Sequence, residues 1–158
     1  MDSLPTLDDV YRKFGEASEA AQLLETELGT LLLWEQAIEE DLLGEEGKRA
    51  TEIMRGIDRQ TLGTLIKNAK DKSQPVEEIA ALLERALRAR NRLSHSFYRR
   101  HNFRRNSGEG RAVMMQDLES IHGVILEAYK ALMLLGGTDL DAALAKGPFA
   151  LPTVHVRI

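Results

Sequence analysis

Apolar residues recur at spacings of three and four along most of this chain, and this period limits its possible folds more than any other feature. The first such stripe comprises Val10, Phe14, Ala17, Ala21, Leu24, Leu28 and Leu31, and the last comprises Met114, Leu118, Ile121, Ile125, Ala128, Leu132 and Leu135. Because an α-helix has about 3.6 residues per turn, each set falls on one helical face. The pattern predicts one helix from about Leu7 to about Glu40, with Thr6 as its cap, and a second long helix that ends at Gly136 and Gly137.

Shorter apolar stripes lie between the two long ones. They comprise Ile53, Met54 and Ile57 in a weak helix, then Leu62, Leu65, Ile66 and Ala69, and finally Val76, Ile79, Leu83 and Leu87. We expect an interruption near Asp58 and a helix that starts at Pro75, a residue favoured at the first helical position. Amphipathic helices with short connections favour an all-α, antiparallel bundle of four to five main helices.

The predicted bundle covers residues 1–137, and residues 138–158 form a C-terminal tail. A short helix is expected at 139–146. Beyond it, Gly147, Pro148 and Pro152 prevent a continuous helix, and the final residues TVHVRI have the pattern of an extended segment.

The composition is that of a globular domain in water. With 158 residues the chain is long enough for one substantial core, and it is 43% hydrophobic and 29% charged. No run approaches the eighteen or so apolar residues of a membrane span, and the acidic N-terminus lacks the features of a secretory signal. Cysteine is absent, which excludes disulfides and thiolate metal sites. These observations predict a cytoplasmic protein with no membrane partner, no metal and no cofactor.

Arginine is concentrated in one part of an otherwise acidic chain. From Arg85 to Arg111 there are nine arginines and one acid, Glu109, so this segment carries a formal charge of +8, and −12 falls on the rest of a chain whose net charge is −4. Such a separation favours a local site for an anion, because the acidic remainder repels a long polyanion elsewhere. The guanidinium group also binds phosphate oxygens in pairs and stacks on bases. An arginine-rich helix face paired with acidic neighbours is the alternative.

Arg90 stands where the third stripe requires an apolar residue, since the series 76, 79, 83, 87 continues to 90 and 94. Burial of arginine is costly, so Arg90 either pairs with an acid or marks a polar cleft. Asn91 and His95 share a helical face, with Arg88 and Arg92 beside them. Arg90 and His95, by contrast, lie about 140° apart on an ideal helix. They can share one ligand only if the helix breaks or a second subunit contributes.

The segment RNRLSH resembles the motif of the HEPN domains, small helical bundles of which many are metal-independent endoribonucleases. The family motif is an arginine, usually followed by a polar residue, and then a histidine after four to six intervening positions. Arg90, Asn91 and His95 match it here with four intervening residues, and the aromatic pair Phe97 and Tyr98 follows. The resemblance in layout covers about residues 7–135.

The resemblance implies a homodimer with two-fold symmetry that brings two motifs together over one RNA backbone. His95 would be the general acid or base for attack by the ribose 2'-hydroxyl, Arg90 would stabilise the phosphorane, and Asn91 would orient the pair. Histidine titrates near neutral pH and a fixed guanidinium stabilises developing negative charge, which agrees with these roles. Flanking phosphates would be bound by Arg88, Arg92, Arg99, Arg100, Arg104 and Arg105, and a base would stack on Phe97, Tyr98 or Phe103.

Several assignments stay open at the level of sequence. Six residues separate Arg88 from His95, which the motif permits, and the two lie on the same helical face. Arg88 is therefore a second candidate for the motif arginine, but Arg90 is preferred because Asn91 follows it. His101 is a second candidate for the histidine.

Other residues that stand out in the sequence are expected to have structural roles. His122 is expected to be a structural hydrogen-bonding residue, and Trp34, Met114 and Met115 are expected in the core or at a dimer surface. His155 carries no signal.

Three classes of function remain. The first is a ribonuclease, for example the toxin of a toxin–antitoxin or defence system whose antitoxin is a nucleotidyltransferase. The second is a non-catalytic module for binding nucleotide or RNA or for dimerisation. The third is a structural helical dimer whose arginines form ion pairs between subunits.

Overall fold

The computed structural model describes residues 3–40 and 47–147. These residues contain seven α-helices and one 3₁₀ helix. In chain order the α-helices are α1 (Leu7–Glu39), α2 (Lys48–Asp58), α3 (Leu62–Lys72), α4 (Gln74–Glu78), α5 (Ala80–His101), α6 (Gly108–Leu135) and α7 (Leu140–Ala145). The 3₁₀ helix, Asn102–Asn106, joins α5 to α6. No β-strand occurs in these two ranges, and the prediction of an all-α bundle is confirmed.

The ends of the helices follow local sequence signals. Thr6 and Asp9 form a capping box at the start of α1: the Asp9 amide donates to Thr6 Oγ1 at 3.1 Å, and the Thr6 amide donates to Asp9 Oδ2 at 2.9 Å. Hydrogen bonds from Thr6 hold the pKa of Asp9 below its ordinary value. At the other end of the bundle, α6 stops before Gly136 and Gly137, as predicted, and Gly137 adopts the left-handed φ of 86°.

Three long helices, α1, α5 and α6, form the centre of the bundle. The Arg111 side chain bonds Pro5 and the Lys13 side chain bonds His122, so α1 and α6 run parallel. Phe14 packs against Phe97 and Glu25 pairs with Arg90, so α5 runs antiparallel to α1. Their inner faces make one core, whose fully buried members include Val10, Leu24, Leu28, Leu83, Leu118, Ile125 and Leu132. Each such side chain stabilises the fold by about 1.5 to 3 kcal/mol relative to an exposed position.

Helices α2 and α3 pack against α1, and α3 also packs against α5. Helix α2 ends at Asp58 and α3 begins at Leu62 after the Thr61 cap, which confirms the interruption predicted near Asp58. The short helix predicted at 139–146 is also confirmed, as α7. It contacts α6 through an ion pair between Lys130 Nζ and Asp141 Oδ1 at 2.6 Å. The predicted extended segment TVHVRI, with His155, lies outside the described residues.

The single helix predicted from Pro75 onward is wrong. Helix α4 is five residues long, Ile79 leaves helical geometry at φ −101° and ψ 10°, and α5 starts at Ala80. Because the helix restarts there, Val76 does not set the phase of the later stripe. The buried residues of α5 are Leu83, Ala86, Leu93, Phe97 and His101. Position 90 therefore lies on the core stripe, as predicted, whereas position 94 is an exposed serine.

Candidate functional site

Helix α5 and the 3₁₀ helix carry every residue that the sequence assigned to the site. Arg90, Asn91 and His95 lie in the middle of α5, together with Arg88 and Arg92. The remaining predicted contacts to RNA lie toward its C-terminal end or on the 3₁₀ helix, and they are Tyr98, Arg99, Arg100, Arg104 and Arg105. Contiguity in sequence thus places them all on one long helix and the turn that follows it.

Arg90 pairs with an acid, which is one of the two outcomes expected for a charge in an apolar stripe. Its Nη2 lies 2.9 Å from Glu25 Oε1 on α1, and its side chain is only 27% exposed. Its Nη1 donates to Asn91 Oδ1 at 3.2 Å. Two contacts therefore fix the guanidinium, and one of them comes from the residue that was expected to orient it.

His95 lies on the opposite, solvent-facing side of α5. It is exposed, and within the described residues no side chain makes a hydrogen bond to its imidazole; Arg99 Nη2 bonds only its backbone carbonyl oxygen, at 3.5 Å. Because α5 is continuous from Ala80 to His101, Arg90 and His95 stay about 140° apart and do not converge within one chain. Arg88, seven residues before His95, shares its face.

Four arginines and His95 share one face of α5, and all of them except the half-buried Arg92 are exposed. We call this set the arginine row, and it consists of Arg85, Arg88, Arg92, His95 and Arg99. Its spacings of three and four keep the members on one side of the helix over about 21 Å. The interval of three from Arg85 to Arg88 could have identified Arg85 from sequence, but Arg85 was not among the predicted contacts.

The arginines of the site differ in how far they are neutralised. Arg92 pairs with Asp117 on α6, and Arg85 lies 3.7 Å from Glu127. Among residues 3–40 and 47–147, no carboxylate lies within 4 Å of five of the six predicted phosphate contacts, which are Arg88, Arg99, Arg100, Arg104 and Arg105. This surplus of unpaired positive charge favours an anionic ligand over the alternative of a fully paired arginine face.

A buried polar network connects α5, α6 and the 3₁₀ helix, and sequence reasoning did not find it. His101 is 4% exposed; its Nε2 bonds Asp117 Oδ2 at 2.8 Å, and its Nδ1 bonds Arg104 Nη1 at 3.1 Å. Since arginine can only donate, Nδ1 accepts and Nε2 carries the proton that is donated to Asp117. Both ring nitrogens are occupied, so His101 is poorly placed to replace His95 in catalysis. Its position on the core stripe of α5 was the available signal.

The three aromatic residues of the segment have different environments. Phe97 is buried in the core, with its ring 5.7 Å from Phe14 and 4.5 Å from His101, so the expectation that it can stack a base is wrong. Tyr98 is 40% exposed and Phe103 is 76% exposed. Burial raises the pKa of the Tyr98 phenol above its ordinary value, which itself leaves the group neutral near pH 7.

Four residues outside the site were predicted to have structural roles. Lys13 Nζ bonds His122 Nδ1 at 3.0 Å, which confirms the structural hydrogen bond, and burial lowers the pKa of His122. Met114 is in the core and Met115 packs against it. Trp34 is 58% exposed, so its predicted place at a dimer surface stays a prediction.

Gly110 lets the 3₁₀ helix pack directly on α6. A Cβ atom at this position would lie 2.1 Å from the Arg104 carbonyl oxygen and 2.7 Å from its Cα. Arg111 reinforces the contact, because its Nη1 donates to the Arg105 carbonyl oxygen at 3.1 Å. The position of Arg104 and Arg105 therefore depends on a close approach that only glycine allows.

We expect Gly110→Ala to lower the free energy of unfolding by about 1 to 3 kcal/mol, the usual cost of inserting a group into a packed region. Gly123→Ala in the same helix is the matched control, because a Cβ there meets nothing within 4 Å. That change should stabilise the protein by about 0.5 to 1 kcal/mol through higher helix propensity. Urea denaturation followed by circular dichroism measures both. If Gly110→Ala were as stable as the wild-type protein, the 3₁₀ helix would be shown to adjust freely to the added methyl group.

In the part of the chain that the structure describes, no group of three or more histidine, aspartate or glutamate side chains is placed to hold a metal ion. None of the described helices has the length and apolar character needed to cross a membrane. Comparison with protein-family models, with curated proteins and with solved structures found no match to this chain.

Proposed function

We propose that the protein is a metal-independent endoribonuclease that cleaves single-stranded RNA. The observation that carries the proposal is the exposure of His95 within the arginine row, where a proton-transfer group stands among cations that bind phosphate. An RNA strand bound along the row places a ribose and its 3'-phosphate beside the imidazole. Resemblance of RNRLSH to the HEPN motif supports the same reaction.

The reaction needs no group beyond those in the chain and the RNA. His95 accepts the proton of a 2'-hydroxyl, and the 2'-oxygen attacks the adjacent phosphorus. The bond to the 5'-oxygen then breaks as that oxygen takes this proton from the His95 imidazolium. An arginine stabilises the added negative charge of the phosphorane. The products are a 2',3'-cyclic phosphate and a 5'-hydroxyl. Incubation with single-stranded RNA in EDTA should yield these ends; RNA that binds but stays intact would favour the non-catalytic binding module.

The arginine that completes the site comes, in this proposal, from a second copy of the chain. Arg90 and His95 face different sides of an unbroken α5, and Arg90 is already fixed by Glu25 and Asn91. A two-fold axis beside RNRLSH can place Arg90 of one subunit against His95 of the partner subunit, and it does so twice. Arg88, on the same face as His95, offers a site within one subunit as the competing arrangement.

The biological role rests on the resemblance alone. A toxin that cleaves RNA and is neutralised by a nucleotidyltransferase antitoxin, or a defence protein, fits this activity. The acidic remainder of the chain restricts RNA to the arginine row, which suits a strand that enters one local site.

Binding of RNA should depend steeply on salt, because phosphate neutralisation releases counterions. In a His95→Ala background, which prevents cleavage, replacing Arg88 and Arg99 with glutamine should lower the slope of log K against log salt by about 1.4, or about 0.7 for each lost phosphate contact on a single strand. Arg55→Gln with Arg59→Gln, on the exposed surface around α2, is the charge-matched control and should leave the slope unchanged. Fluorescence anisotropy between 50 and 300 mM salt, about a sixfold range, measures the slope. If both double variants had the same salt slope, Arg88 and Arg99 would not bind phosphate, and the arginine row would have a structural role.

A further inference from the structure

A groove at the C-terminal end of α5 lies next to the arginine row but is not part of it. It is lined by Tyr98, Asn102, Phe103, Arg105 and Asn106 and encloses about 550 Å³. Phe103 and Tyr98 expose 76% and 40% of their surfaces there. Two exposed aromatic side chains at one groove provide a surface on which a planar ligand can stack.

The wall formed by Tyr98 is rigid before any ligand binds. Its ring centroid lies 5.2 Å from that of Phe14 and 5.1 Å from that of Phe97, which is itself buried. Across the same end of the bundle, Arg105 Nη2 donates to the Tyr11 hydroxyl at 3.0 Å. Asn102, with a φ of 37°, makes the turn from α5 into the 3₁₀ helix, a conformation uncommon for residues other than glycine. A preformed surface loses little conformational entropy on binding.

The chemistry of the lining selects the kind of ligand. Its members offer flat aromatic faces, two carboxamides that both donate and accept hydrogen bonds, and one guanidinium. No residue from Arg90 to Ser107 is acidic, and the Arg105 guanidinium in the lining gives the groove a positive rim. A neutral apolar peptide would use the aromatic faces but not the positive rim. An unpaired nucleotide uses both, through its base and its phosphate.

The geometry points to a base-binding subsite: the groove binds one unpaired nucleobase of single-stranded RNA, stacked on Tyr98 and Phe103, with Asn102 or Asn106 at its hydrogen-bonding edge. This inference rests on the proposed ribonuclease function and adds to it a determinant of substrate specificity. Tyr98 follows His95 by three residues, a rise of about 4.5 Å along α5. The bound base therefore belongs to a nucleotide next to the cleaved phosphate, and the groove sets where the strand is cut.

Binding of short RNAs that carry a fluorescent base tests the subsite. The probe is a hexamer of uridines with 2-aminopurine at one position, moved through all six positions in turn. The full-length protein carries His95→Ala so that the probe stays intact. Stacking should change the 2-aminopurine emission at one position much more than at the others. Phe103→Ala should remove this change and weaken binding about 5- to 150-fold, the usual effect of losing one base–aromatic stack.

Two further variants make the result specific. Phe103→Trp keeps an aromatic face and should restore both affinity and emission change. Leu144→Ala removes an apolar side chain that is also exposed but lies on α7, away from the groove, and should change neither. If RNA binds through the arginine row but Phe103→Ala leaves affinity and emission unaltered, the subsite is refuted and the proposed function stands. If no hexamer binds to the starting protein at any salt concentration, the proposed function fails, and the subsite fails with it.

Discussion

Replacing His95 with alanine should lower the rate of RNA cleavage about 100- to 10,000-fold, the usual contribution of general acid and base catalysis. The fold should be unaffected, because His95 is exposed and its ring makes no hydrogen bond to another described side chain. Single-turnover cleavage of a labelled RNA measures the rate, and light scattering with circular dichroism checks the assembly and the fold. His122→Gln is the matched control: His122 bonds Lys13 in the structure and should be dispensable for cleavage. Wild-type activity in His95→Ala would remove the proposed catalyst.

Arg90→Ala should reduce cleavage to a comparable extent, because the phosphorane loses its fixed cation. This change also leaves Glu25 without its partner, so lost activity could have a structural cause. Glu25→Gln separates the two effects: it breaks the same ion pair but keeps Arg90, and it should retain most of the activity. Arg88→Ala should matter less. The reverse order, with Arg88 essential and Arg90 dispensable, would place the site within one subunit.

Mixing the two inactive variants shows which subunit supplies each group. In a heterodimer of His95→Ala with Arg90→Ala, one of the two sites combines an intact Arg90 with an intact His95 from the other chain. After exchange of subunits at equal amounts, half of the dimers are of this kind, so the mixture should regain about a quarter of wild-type activity. If both groups act within one subunit, every site in the mixture lacks one of them, and no activity returns.

The fold was largely predictable because apolar periodicity reports burial directly. Helices α1 and α6 are long, so seven apolar residues in each fix both the phase and the ends. The break at Ile79 was missed because Val76, Ile79 and Leu83 keep a helical spacing across a residue that leaves the helix. Short-range patterns of this kind do not distinguish one helix from two in sequence.

The site was predictable only in its outline. Its residues are contiguous, so one helix had to carry them, and the phase of α5 already separated Arg90 from His95. Their partners come from other helices: Glu25 on α1 fixes Arg90, and Asp117 on α6 binds both His101 and Arg92. No local pattern identifies such pairs, because they depend on how the helices pack. The burial of Phe97 and exposure of Phe103 likewise follow from where α5 ends.

One substitution in the substrate shows whether the protein cleaves RNA by attack of the 2'-hydroxyl without a metal. An RNA is first cleaved in EDTA to map the preferred position, and the same RNA is then prepared with a single 2'-deoxyribose on the 5' side of that phosphate. We expect cleavage of the all-ribose strand to a 2',3'-cyclic phosphate and a 5'-hydroxyl. The bond at the deoxy position should stay intact, because the attacking oxygen is absent. Cleavage at the deoxy position would contradict the mechanism.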